Sequence, residues 1–144
     1  MFSHNKKIVL LSIKPKYAEK IFLGQKKIEL RRICPKVKEG DYIIIYVSSP
    51  VKSLVGKIQV KKIISESPQK LWKRVSSEAG ITKQIFDQYY EGASLGYGIY
   101  VSRPEKLPNP IHLNVLRKKV KGFRPPQNYY YVSSELLTAM STAF

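Results

Sequence analysis

Gly24, Lys26, Glu29 and Arg31 stand in the spacing G-x-K-x-x-E-x-R. On a strand, side chains two apart share a face, so Glu29 and Arg31 project together. Lys26 lies at the strand entrance, beside the helix end that Gly24 terminates. Two cations around one carboxylate can hold an anion or a polar ligand. The same group can equally be a salt-bridged surface, where exposed pairs contribute only about 0–1 kcal/mol. In a cleft, Lys26 and Arg31 would contact phosphate or a base carbonyl, and Glu29 would accept from a base amino group. Lys14, at the end of the preceding apolar run, joins this candidate group.

The charge balance points the same way. Lys and Arg number 26 against 10 Asp and Glu, a formal +16 on 144 residues. A positive potential of that size favours polyanions, above all nucleic acid, through counterion release. Acidic proteins and anionic lipid surfaces are the competing partners. Lys118, Lys119 and Lys121, in the run Arg117-Lys118-Lys119-Val120-Lys121, make a phosphate-tracking patch, and Arg124 follows. Among the tyrosines, Tyr46 and Tyr97 are the pocket candidates, because exposed tyrosines stack unpaired bases. Ser48, after a central strand, could present a hydroxyl at the rim, yet no His partner or glycine elbow makes it a nucleophile.

Other chemistries are excluded or weakly supported. The one cysteine, Cys34, rules out an internal disulfide and fits a reducing cytoplasm. Neither His4 nor His112 has a Cys or His neighbour at metal-ligand spacing, so no metal and no cofactor is expected. The apolar run Ile8 to Ile13 is too short to span a membrane, and no cleavage site follows it. A cytoplasmic protein of one domain, residues 1–144, is the expectation.

The elements that must position the group follow from periodicity and punctuation. Lys7 to Ile13 reads as a buried strand, and Pro15 opens a helix whose core face is Ala18, Ile21 and Phe22. Strands are predicted over Lys26 to Ile33, Tyr42 to Ser48 and Leu54 to Ile64, the last curved with Gly56 easing the bend. Pro68 opens a helix through Val75, closed by Gly80; Thr82 caps another that runs through Tyr89 to Gly92. Gly96 to Ser102 returns to a strand, and Pro104, Pro108 and Pro110 punctuate a loop. A short helix over Ile111 to Arg117, a strand over Tyr129 to Val132 and a helix from Ser134 complete an α+β chain built on a curved sheet or closed barrel.

Ser12-Ile13-Lys14-Pro15 followed by the G-x-K-x-x-E-x-R block resembles the ASCH domain (activating signal cointegrator homology), a small β-barrel related to PUA RNA-binding domains. Gly122-Phe123-Arg124-Pro125-Pro126-Gln127 resembles the Phe-x-Pro-Pro-Gln segment of a bacterial subgroup. The resemblance implies a PUA-like sheet or barrel with peripheral helices, and RNA or a modified nucleotide as ligand. Part of the family hydrolyses acetylated cytidine with a Lys, Thr and Glu set. Glu29 stands where that Thr is needed, which argues against the reaction, and Glu66 is only a candidate for the distant acid. Other relatives cleave RNA in a basic pocket, so a metal-independent ribonuclease or nucleotide-modifying hydrolase using Lys26, Glu29 and Arg31, with Tyr46, is the enzyme alternative. The family name adds a third class, a protein-interaction module in transcriptional regulation.

Overall fold

Branched apolar residues dominate the first and third strands, where they cannot all face one way, so the sheet must be covered on both sides. In the computed structural model, which describes residues 5–141, that is the arrangement. Six strands form one strongly curled sheet: β1 (Ile8–Ile13), β2 (Ile28–Arg31), β3 (Tyr42–Val47), β4 (Ser53–Glu66), β5 (Gly96–His112) and β6 (Tyr129–Tyr131). Five helices surround it: α1 (Pro15–Phe22), α2 (Pro68–Val75), α3 (Lys83–Tyr89), α4 (Leu113–Lys119) and α5 (Ser134–Met140). The strand order is β2-β5-β4-β3-β1-β6, with β1 parallel to β3 and every other pair antiparallel. Of the two forms expected, the sheet is the curved one, a half-barrel with β2 and β6 at its edges.

Alternation along the strands sorts the core. Leu10, Ile44, Tyr46 and Leu54 face α4 and α5 through Leu113, Leu116, Leu136 and Met140. Their neighbours Val9, Leu11, Ile43, Ile45 and Ile58 face the other way, onto Ala18 and Ile21 of α1. A third cluster joins Ile28 and Leu30 of β2 to Leu71 and Val75 of α2, to Phe86 of α3 and to Tyr90 just after it. The curl is written into β4, where pairing slips at Leu54/Gly56, Lys57/Gln59 and Val60/Lys62, each slip a bend in the strand. Gly56 sits inside that bend because a Cβ there would run into the Glu105 carbonyl and the Phe22 ring.

The three prolines after Ser102 do not make a loop. Residues 103–112 continue β5 and pair with the first half of β4, from Lys57↔Glu105 to Ser53↔His112. β2 covers β5 only as far as Tyr100, so the further stretch is a sheet edge, where a missing N–H breaks no ladder bond. Pro104, Pro108 and Pro110 are all exposed there. The following helix starts at Leu113, not Ile111, because the His112 side chain caps it: Nδ1 accepts from the Asn114 N–H at 3.1 Å. His4 lies outside the described residues.

Candidate functional site

Lys14 precedes a proline and is therefore held extended, so α1 begins at Pro15 and the strand end of β1 meets the helix start at a sharp corner. Gly24, at φ +77°, ends α1, and the N–H groups of Gln25 and Lys26 fold back onto the Lys20 carbonyl at 2.8 and 3.1 Å. The chain then enters β2 along β5, with Glu29 opposite Ile99 and Arg31 opposite Tyr97. Lys14, Lys26, Glu29 and Arg31 are thus carried to one cleft of about 990 Å³, bounded by β1, α1, β2, α3 and the segment before β6.

The central three are not surface groups. Lys26, Glu29 and Arg31 are 3%, 7% and 9% exposed. Lys26 Nζ donates to the Ala79 carbonyl and stands 5.5 Å from the centre of the Tyr17 ring. The connection between α2 and α3 folds over it: Lys20 Nζ donates to Gly80 O at 2.9 Å and Lys27 N to Glu78 O at 3.0 Å. Burial holds the Lys26 ammonium below the usual lysine range; Glu29 opposes that shift and Lys20 adds to it. A lowered folded-state value makes the unfolded chain bind more protons between that value and 10.5. Wild-type stability relative to Lys26→Met should therefore rise as pH climbs from 7 toward 10.5 and fall again on the way down. Urea midpoints of both proteins at pH 7 and 10 measure it; parallel shifts would show that Lys26 is not a buried charge.

Glu29 and Arg31 make a single contact, Nη1 to Oε2 at 3.4 Å. Arg31 Nη2 donates to the Asn128 carbonyl at 2.6 Å, and its buried Nε has no partner. Arg31 thus ties the β2 edge to the segment leading into β6, the other edge of the half-barrel. That segment is fixed from below as well: Ser12 Oγ donates to Pro126 O at 2.7 Å, Phe123 is buried with Tyr46, and Gln127 and Asn128 line the cleft. Glu29 Oε1 has no protein partner among the described residues, so an acceptor is left facing the cavity.

The far wall comes from α3 and the turn after it. Tyr90 is buried and donates to the Arg31 carbonyl at 3.1 Å, while burial pushes its hydroxyl well above the usual tyrosine range. Tyr89 beside it is exposed and lines the cleft with Ile85, Gln88 and Leu95. Arg32 holds this wall in place, its Nη1 donating to the carbonyls of Tyr89 at 2.9 Å and Glu91 at 3.1 Å, the open end of α3. Four cations, Lys14, Lys26, Arg31 and Arg32, and one carboxylate, Glu29, therefore line a cavity with aromatic sides at Tyr17, Tyr89 and Tyr97. A pocket with an ammonium donor, a carboxylate acceptor and stacking faces suits a nucleotide.

Not every expected residue arrives there. Tyr46 is buried on the opposite sheet face among Leu116, Val120 and Phe123, because position 46 has the parity of Ile44 and Leu10. Burial raises its hydroxyl above the usual range, with Arg117 acting against it. Ser48 forms the turn after β3, its carbonyl accepting from Val51 N at 3.2 Å, and does not line the cleft. Lys118, Lys119 and Lys121 are exposed at the end of α4, across the sheet from α1. Arg124 is exposed, its carbonyl taken by Tyr130 Oη at 2.7 Å. Glu66 pairs with Arg74 at 3.4 Å, away from the cleft. Cys34 is half-buried in the turn after β2, and burial pushes its thiol up. Tyr17, Arg32, Tyr89 and Asn128 line the cleft beyond the expected set; adjacency to the motif is the sequence signal for Tyr17 and Arg32, the lysine-interleaved tyrosines are that for Tyr89, and Asn128 has none.

Comparisons with known proteins bear on the family and the fold. The family model for the ASCH domain matches residues 11–119. The chain is 30% identical over 131 residues to an ASCH domain-containing ribonuclease of Zymomonas mobilis, across 91% of this chain and 88% of that protein. A crystal structure of the Zymomonas mobilis ASCH protein, a tyrosine-to-phenylalanine variant, matches with a TM-score of 0.89 at 27% identity, covering 95% of this chain and 98% of that one. The large ribosomal subunit protein uL22 of Ureaplasma parvum is 25% identical over 118 residues, 81% of this chain and 38% of that protein.

Proposed function

This chain belongs to the ASCH domain family, and on that premise we propose that it binds RNA, taking an unpaired or modified nucleotide into the cleft around Lys26, Glu29 and Arg31. The observation that carries the reading is that four cations and one carboxylate line a single cavity of about 990 Å³, on a chain of net charge +16. Lys14 and Arg32, both exposed, meet the phosphate, while Glu29 accepts from the base or sugar. Arg31 orients Glu29 and joins the two sheet edges more than it touches ligand, since both its Nη atoms already have protein partners. Binding should weaken steeply with salt, log affinity falling against log salt by roughly 0.7 for each phosphate contact on single strands. Filter binding of a single-stranded RNA at several salt concentrations tests this; a flat dependence would refute it. Charge reversal at Lys118, Lys119 and Lys121 should weaken every RNA alike, because phosphate contacts carry no sequence information.

A second reading, that the bound RNA is also cleaved, is favoured by the relative named as a ribonuclease. The groups present could do it. A ribose 2′-hydroxyl gives its proton to Glu29 as its oxygen attacks phosphorus, and the bond to the 5′-oxygen breaks. Lys26 returns a proton to that leaving oxygen, and the products are a 2′,3′-cyclic phosphate and a free 5′-hydroxyl. A lysine held below its usual pKa is a better acid at neutral pH than an ordinary one. Among the described residues no three His, Cys, Asp or Glu side chains gather as a metal site. Cleavage should therefore survive exhaustive chelation, and activity lost to chelator and restored by a divalent ion would exclude this chemistry. Electrophoresis of end-labelled RNA, with the termini identified, is the direct test.

A further inference from the structure

A smaller cavity of about 270 Å³ opens on the other side of Tyr17. Lys16 and Lys20 of α1 line it, with Gln25 and the hydroxyl residues Ser76, Ser77 and Thr82 of the α2–α3 connection. No carboxylate is among its lining residues. Tyr17, Ile81 and Ile85 belong to both cavities, so the two are neighbours divided by this partition. Two ammonium groups stand near the Tyr17 ring, that of Lys26, which lines the cleft, at 5.5 Å and that of Lys16, which lines the smaller cavity, at 5.7 Å from its centre. Lys20 uses one N–H on Gly80 O at 2.9 Å and keeps two, and Thr82 Oγ1 accepts from Ile85 N at 3.3 Å, leaving its proton to donate. The cavity is small, cationic and rich in hydroxyl donors. Its donors suit a phosphodiester, and its aromatic and apolar residues, Tyr17, Ile81 and Ile85, are the ones it shares with the larger cleft.

We infer that this cavity is a phosphate subsite for the nucleotide adjoining the one in the cleft, so that the ligand crosses Tyr17 and is a strand of at least two nucleotides. The inference rests on the cleft binding RNA. A mononucleotide would fill the cleft and leave Lys16 and Lys20 unused, whereas a strand would engage both cavities. It also gives the α2–α3 connection a purpose, since that connection supplies Ser76, Ser77, Gly80, Ile81 and Thr82 to the smaller cavity and Ile81 to the cleft.

The test measures affinity for a single-stranded hexanucleotide and for the four nucleoside monophosphates, using wild type, Lys16→Gln, the Lys16→Gln/Lys20→Gln pair and Lys14→Gln. The double variant should bind the hexanucleotide roughly tenfold more weakly and keep monophosphate affinity within about twofold. Its salt slope should fall by roughly 0.7 for each lysine that meets a phosphate. Lys16→Gln breaks no hydrogen bond among the described residues, so it preserves the test should loss of the Lys20–Gly80 bond unfold the double variant. Hexanucleotide binding that falls with Lys14→Gln but ignores both other variants overturns the subsite and leaves the cleft standing. An equal loss for monophosphates and hexanucleotide overturns it too, since the lysines would then act on the cleft as a whole. If wild type binds no hexanucleotide at all, the cleft reading fails and this inference with it.

Discussion

Glu29→Gln should lower RNA cleavage by at least about 10²-fold while the protein stays folded and still binds RNA. The substitution keeps the size and planarity of the side chain, so Ile28 and Leu30 around it need not move. What it removes is the basic lone pair that would take the 2′-hydroxyl proton. The amide can still meet Arg31 Nη1 through its oxygen, so the 3.4 Å contact weakens without vanishing. Lys26→Met should remove a similar factor, by taking away the proton donor for the leaving oxygen. Single-turnover cleavage of a labelled RNA, alongside titration of a non-cleavable 2′-deoxy analogue, separates the two effects. If Glu29→Gln leaves cleavage intact, Glu29 is no general base. If wild type cleaves nothing and Glu29→Gln instead changes which bases are preferred, the cleft is a reader, and the carboxylate serves to accept from a base amino group.

The strand and helix order was legible because it rests on short-range physics. Branched runs at Ile8–Ile13 and Tyr42–Val47, the Pro15 and Pro68 helix starts and the Thr82 cap each act within a few residues. The Glu29–Arg31 pairing was legible for the same reason, since strand alternation alone puts both on one side. The prolines after Ser102 misled because a proline in a strand is judged by which edge it occupies, and the edge depends on how far β2 reaches along β5. Residue type alone suggests a pocket position for Tyr46. Its parity with Leu10 and Ile44, visible only once β1 and β3 are paired, sends it to the face covered by α4. That Tyr89 and Leu95 form a wall was not legible, because nothing near α3 announces that it packs across β2. The same holds for Asn128, which meets Arg31 across 97 positions of sequence.

Arg31→Ala should destabilise the fold by about 3–5 kcal/mol, far more than a surface ion pair would imply. Read from sequence, the Lys26, Glu29 and Arg31 group could be an exposed cluster, removable for about 1 kcal/mol or less. With Arg31 only 9% exposed and Glu29 only 7%, that limit does not apply. Deleting the guanidinium leaves the largely buried Glu29 carboxylate with no counter-charge in contact. It also cuts the 2.6 Å bond to Asn128 O, the described side-chain link between the β2 edge and the segment before β6. For a chain of this size the loss corresponds to a fall in melting temperature of roughly 10–15 °C. Arg31→Lys should recover only part of it, because an ammonium cannot reach Glu29 and Asn128 along the two arms of a fork. The pair Arg31→Met/Glu29→Gln should recover more, since it removes the stranded charge. Calorimetry on the four proteins decides the matter. Arg31→Ala melting within about 2 °C of wild type, a stability cost well under 1 kcal/mol, would mean that the guanidinium is held for the ligand alone. In that case its cost should appear in RNA affinity, where the present geometry gives it the smaller part.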